Sequence, residues 1–224
     1  MQYYKIEISD FNVGIGLMDE LNPNIIKYRE IVSIISSYHD IENPFKINEN
    51  TIKLPELDFF KVIYGKPPKH LNIMGGWLPR GILIKKELYF KLKEKCIFAP
   101  HICAPIKIQY RKKENSDYFY CFFFDIIEHI DFEKSVFSGY IRELDIYEEF
   151  FVKSYEELLY LSQTKYNYND IFKKIRFKNS FKQYDIFGLF YIGHEIFFSN
   201  KVKKEFQHLG IDGVDFVNPD IQFE

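Results

Sequence analysis

Residues 195–218, near the end of the chain, admit few folds. Their pattern is strand, helix, strand, with a stop signal at each end of the helix. Ser199 precedes the helix, and its hydroxyl is suited to accept from an otherwise unpaired N–H of the first turn. Val202, Phe206 and Leu209 recur at i, i+4 and i+7, which draws one apolar stripe along a helix. Gly210 follows where a left-handed residue ends a helix without steric conflict. Ile211, Val214, Phe216 and Val217 then supply a return strand. A striped helix between two strands must bury its stripe on a sheet, so the unit demands helix-on-sheet packing. It carries no chemistry.

The remaining chain reads mostly as strands. Residues 2–9 alternate as a strand does, 10–24 are irregular, and 25–37 fit a helix or a strand equally. Residues 57–64 form a strand, 65–68 a turn, and 71–74 a short apolar piece. Residues 82–84 form a strand that leads into a helix ending near 95, with Leu88, Leu92 and Cys96 on one face. Strands at 102–110 and 118–127 pair around a polar loop at 111–117. Ser154 and Glu157 make a capping box that opens a helix to about residue 162. Further strands are expected at 175–177, 186–191 and 195–198. Segments 82–97 and 196–211 align at one offset, with Leu88 on Val202 and Leu92 on Phe206, as two capped strand–helix units would. The predicted fold class is α+β: a mixed or mainly antiparallel β-sheet with a few short packed helices. One domain over residues 1–224 is expected. Its only seam is the loop 75–81, which separates 1–74 from 82–224.

The terminal unit, with Gly210-Ile-Asp-Gly-Val-Asp-Phe216 after its helix, resembles the C-terminus of the immunity-eleven family. That family is found beside bacterial polymorphic toxins. Three segments resemble it in the same order: 79–92, 118–131 followed by Ser135, and Tyr184-Asp-Ile-Phe187. The resemblance spans roughly residues 70–217 and is one of pattern; residues 1–60 show none. Lys85 stands where the family's earlier strand–helix unit usually has serine. The resemblance, to this family or a closely related one, implies a non-catalytic protein without a cofactor. Such a protein binds and neutralises a cognate toxin domain in the cytoplasm.

Side-chain chemistry adds little to this. With 224 residues and a formal net charge of −2, the chain has no global attraction to nucleic acid or membrane. No apolar run approaches the ~20 residues a membrane helix needs, and the N-terminus lacks a signal-peptide pattern. The cytoplasm is the default compartment. Cys96, Cys103 and Cys121 are odd in number and irregular in spacing, which predicts reduced and mostly buried thiols. His101 and Cys103 are the only close His/Cys pair, too few for a zinc site. No phosphate-loop glycine pattern occurs. Catalytic, cofactor and metal residues are therefore assigned as none. Aromatic residues make up 19% of the chain, and most are expected in the core.

Charge is segregated along the chain. Residues 125–157 carry ten acids against three bases, and residues 165–208 carry nine lysines and arginines against four acids. The acidic block is a candidate docking face for a basic, nucleic-acid-directed toxin. Glu143, Asp145, Tyr147, Glu148 and Glu149 stand at its centre. The alternative is that the two blocks neutralise each other in space. Two other functions are open. One is a small hydrolase or transferase using Cys103 or Cys121 with a histidine. The other is a nucleic-acid or ligand-binding module built on the basic–aromatic stretch 173–184, with Phe177, Phe181 and Tyr184.

Overall fold

The structure is a computed structural model. It describes residues 2–8, 14–17, 57–64, 67, 69–73, 81–124, 126–141, 144–166, 172–189, 195–219 and 221–224. The fold is α+β with mainly antiparallel sheets. It divides into two compact units. One comprises Met1–Glu7, Cys96–Ala99 and Phe124–Glu224, and the other Ile8–Lys95 and Pro100–Phe123. The division does not follow the seam expected at 75–81, which the second unit runs through. Long-range pairing is the reason. The first strand, β1 (Tyr3–Ile8), pairs with a strand near the C-terminus, and Phe98 bridges to Ile186.

The second unit holds one six-stranded sheet. Its strands are β2 (Gly14–Leu17), β3 (Leu57–Tyr64), β4 (Leu71–Ile73), β5 (Gly81–Lys85), β6 (His101–Tyr110) and β7 (Lys113–Phe123). They lie in the order β2-β3-β6-β7-β5-β4. β3 and β6 run parallel, and the other pairings are antiparallel. β2 lies within the stretch 10–24 expected to be irregular. The segment 25–37 lies outside the described residues.

Ile82, Leu83 and Ile84 of β5 are buried, as expected of a strand covered on both faces. Helix α1 (Lys86–Lys95) follows and buries Leu88 and Leu92. The β6–β7 turn is tighter than the expected loop. Arg111 and Lys112 both take positive φ, 46° and 64°, in a two-residue turn, and Lys113 already belongs to β7. Two successive left-handed residues match the strands' twist, so the polar run 113–117 continues the ladder.

The first unit holds two four-stranded sheets. One has the order β11-β12-β1-β13, with β11 (Ile186–Leu189), β12 (Glu195–Ser199) and β13 (Val214–Val217). The other has the order β14-β10-β8-β9, with β8 (Val136–Ile141), β9 (Ile146–Phe150), β10 (Phe172–Ile175) and β14 (Gln222–Phe223). Helix α2 (Tyr155–Thr164) lies between β9 and β10 in sequence, and α3 (Asn200–His208) between β12 and β13.

The terminal unit forms as its signals dictate. The Ser199 hydroxyl accepts from the Val202 N–H at 3.4 Å, and Val202 and Phe206 are buried. At the other end Ile211 N–H donates to Phe206 O at 2.9 Å and Gly210 N–H to Gln207 O at 3.2 Å, the double bond pattern of a Schellman cap. At α2, the Ser154 hydroxyl accepts from Glu157 N–H, while the Glu157 carboxylate reaches back to Lys153 N–H at 2.7 Å.

Most aromatic rings of the first unit are interior. Phe187 packs edge-on to Tyr3 at 4.9 Å and stacks on Phe197 at 5.4 Å. Among the described residues, no helix is long and apolar enough to cross a membrane.

Candidate interaction surface

β8 and β9 arise from the acidic block, in a segment where no strand was expected. The signal was weak: Phe137, Gly139 and Ile141 alternate with less apolar residues, and all three are buried. In register, Phe137 faces Phe150, Gly139 faces Glu148, and Tyr140 faces Tyr147. Gly139 is required here by close approach. The Tyr166 ring lies over it, where any Cβ would collide. Tyr166 also stacks on Phe150, with centroids 4.3 Å apart and planes within 8°. One face of the hairpin is thus covered by rings.

This arrangement sorts the predicted partner-binding residues. Asp145 sits in the turn with φ 55° and accepts from the Tyr140 hydroxyl at 2.5 Å. Tyr147 is 63% exposed, and its ring lies 5.3 Å from that of Tyr140. Glu148 is on the covered face, where it accepts from Lys165 Nζ at 2.8 Å and from the Tyr166 hydroxyl at 3.2 Å. The hydrogen bond from Lys165 holds its carboxyl below the usual range, and the same bond holds the lysine above its own. Glu149, on the other face, pairs with Lys173. Glu143 lies outside the described residues. Two of the acids expected to steer a partner are therefore compensated by lysines of the basic block.

What the surface offers instead is apolar. Seven large apolar side chains are exposed among the described residues. Five of them, Leu144, Ile146, Tyr147, Phe151 and Tyr160, fall between residues 144 and 160. β9 is also a sheet edge: its only neighbour in the described sheet is β8. Composition could not reveal these exposed residues, because the chain is aromatic throughout and only burial separates core rings from exposed ones.

The other candidate sites fare differently. Cys103 and Cys121 form a disulfide, which corrects the expectation of three reduced thiols; Cys96 is free and buried. The tight turn, together with a one-residue register shift between Ile106 and Ile108, places the two residues opposite each other, with Cα atoms 4.1 Å apart. The longer loop expected from sequence hid that register. In this state neither sulfur is a thiolate, so the cysteine-nucleophile route has no nucleophile. His101, on the same strand, contacts the Tyr89 hydroxyl at 3.0 Å and stacks on Phe123.

The basic–aromatic stretch also reads differently in space. Phe177, Phe181 and Tyr184 are buried, and Phe177 stacks on Phe181 at 3.9 Å. They offer no faces on which bases could stack. No group of three or more His, Cys, Asp or Glu suited to a metal ion occurs among the described residues.

Sequence reasoning gave no role to Asp185, which is buried and joins several segments. Its carboxylate accepts from the Ser199 hydroxyl at 2.6 Å and from Ile97 N–H at 2.8 Å, with Lys201 Nζ at 3.4 Å. Its backbone N–H donates to Ile97 O, and its carbonyl accepts from Ser199 N–H. Ser199 therefore caps α3 and is itself held by Asp185. Comparison of the chain with protein-family models, with curated proteins and with solved structures gives no match.

Proposed function

We propose that this protein is a non-catalytic immunity protein that binds and neutralises a cognate toxin domain in the cytoplasm, with the β9 edge as its contact surface. One observation carries this: of the seven large apolar side chains exposed among the described residues, five fall within residues 144–160, the stretch that contains β9, whose only neighbour in the described sheet is β8. Exposed tyrosine and phenylalanine next to an unpaired strand edge is what a protein-binding surface provides, since aromatic anchors dominate interface energetics. The family resemblance points the same way. A basic, nucleic-acid-directed toxin fits the acidic composition of residues 125–157. Because Glu148 and Glu149 are already paired with lysines, aromatic anchoring supports this function more than charge steering does.

The test is to ask whether a neighbouring reading frame encodes a large protein with a variable C-terminal domain, and to co-express that domain with this chain. A stable complex and relief of toxicity are expected. Tyr147→Asp combined with Phe151→Asp should abolish both while leaving the melting temperature near that of the unmodified protein, because both side chains are exposed. Absence of a complex, or full protection by the double variant, would overturn the proposal.

A further inference from the structure

We infer that the cleft between residues 131–134 and 176–179 binds a small phosphate-type oxyanion. The cleft has a volume of about 380 Å³ and is lined by Asp131, Lys134, Arg176, Phe177, Lys178 and Asn179. That is near the lower end of the ~300–1,000 Å³ of ordinary small-molecule sites. Three cationic side chains against one carboxylate leave two positive charges in excess, in a chain whose net charge is −2.

The charges are brought together by a stiff piece of backbone. Ile130 bridges to Phe177. Asp131 N–H donates to Arg176 O at 2.8 Å, and Lys178 N–H donates to His129 O at 2.8 Å. The buried Ser135 hydroxyl ties both sides, donating to Asp131 O at 2.7 Å and accepting from Arg176 N–H at 3.0 Å. Phe177 points inward and is locked by its stack on Phe181, so Arg176 and Lys178 on either side of it project outward together.

The cations differ in how far they are committed. Lys134 is paired with Asp131 at 2.7 Å, and Lys178 donates to Glu128 O at 3.0 Å. The nearby Glu224 carboxylate pairs with Lys174 at 2.7 Å; that bond and, more weakly, the Arg176 charge hold it below the usual carboxylate range. Arg176 makes no ion pair with a described residue. A guanidinium presents several N–H donors in a planar fork that matches two oxygens of a phosphoryl group. Beside the cleft, burial first and then Lys178 and Lys182 hold the His129 imidazole below its usual range, and the Glu128 carboxylate lies 3.5 Å from its Nε2. The polar, cationic lining suits an oxyanion and not an apolar ligand. This inference does not depend on toxin binding.

Isothermal titration calorimetry on the full chain tests it, with inorganic phosphate and pyrophosphate as probes at fixed ionic strength. Saturable binding at one site is expected. Arg176→Ala should weaken it about tenfold or more, the loss expected for a charged hydrogen bond. Arg176→Lys should recover part of that, and Lys204→Ala, on the exposed face of α3, should change nothing. Tighter binding of pyrophosphate would assign a diphosphate group, and equal binding a single phosphoryl group. Absence of saturable heat, unchanged affinity in Arg176→Ala, or an equal loss in Lys204→Ala, with all variants shown to be folded by thermal denaturation, would overturn the inference.

Discussion

Gly210 has φ +64° and open space where a Cβ would sit. Replacing it with valine therefore costs only the backbone strain of a left-handed L-residue, about 1–2 kcal/mol. Phe206, one turn earlier, is 2% exposed. Phe206→Ala should cost about 3–5 kcal/mol through lost transfer energy and the cavity left behind. Urea denaturation of the two variants should rank them in that order. Tyr118 makes a different prediction. Burial, then the nearby Asp117, pushes its phenol up to about 12, whereas an unfolded tyrosine ionises near 10. The folded state thus holds this proton more tightly. Its contribution is complete below pH ~10 and disappears as the pH rises through about 12, a loss of up to roughly 3 kcal/mol. Denaturation midpoints should fall over that window, and tyrosinate absorbance should rise with unfolding. Tyr118→Phe should remove this part of the pH dependence.

At the scale of elements, Asp185 joins three pieces of the first unit: the segment around Ile97, the end of β12 and the start of α3. Asp185→Ala strands the Ile97 N–H and releases the Ser199 hydroxyl. Leaving such groups unpaired costs about 1–3 kcal/mol each. Asp185→Asn keeps the shape and part of the bonding, so it should fall between the alanine variant and the unmodified protein in chemical denaturation. Legibility differed between elements for a physical reason. α3 was visible because its cap, stripe and stop signal all lie between Ser199 and Gly210, and α2 because its capping box lies within residues 154–157. Asp185 was not, because its partners lie 14 and 88 residues away in sequence. β8 and β9 were hidden because they lie within a block read as an acidic face, although β8 itself carries no charge and its alternation survives at Phe137, Gly139 and Ile141.

For the whole molecule, the Cys103–Cys121 bond closes a loop with a sequence separation of 18 across the β6–β7 hairpin. Thiol titration of the denatured protein without reductant should find one reactive thiol, Cys96, and three after reduction. Three before reduction would show the bond absent. On the loop-entropy account, a loop of this length is worth about 3 kcal/mol, so reduction should lower the melting temperature. A reducing compartment would hold the pair as thiols, which makes this measurement relevant to the cytoplasmic location proposed above. Chain order alone identified the α+β class, the strand–helix–strand end, the capped α2 and the long hairpin, because each depends on periodicity and capping within one local segment. Pairing across distance decided the rest. It split the chain at β1 and Phe98 instead of at 75–81, joined two cysteines through a hairpin register, set lysines against Glu148 and Glu149, and buried Phe177 while leaving Tyr147 in solvent. Charge compensation and burial are relations between residues far apart in the chain, and only the folded backbone sets those distances.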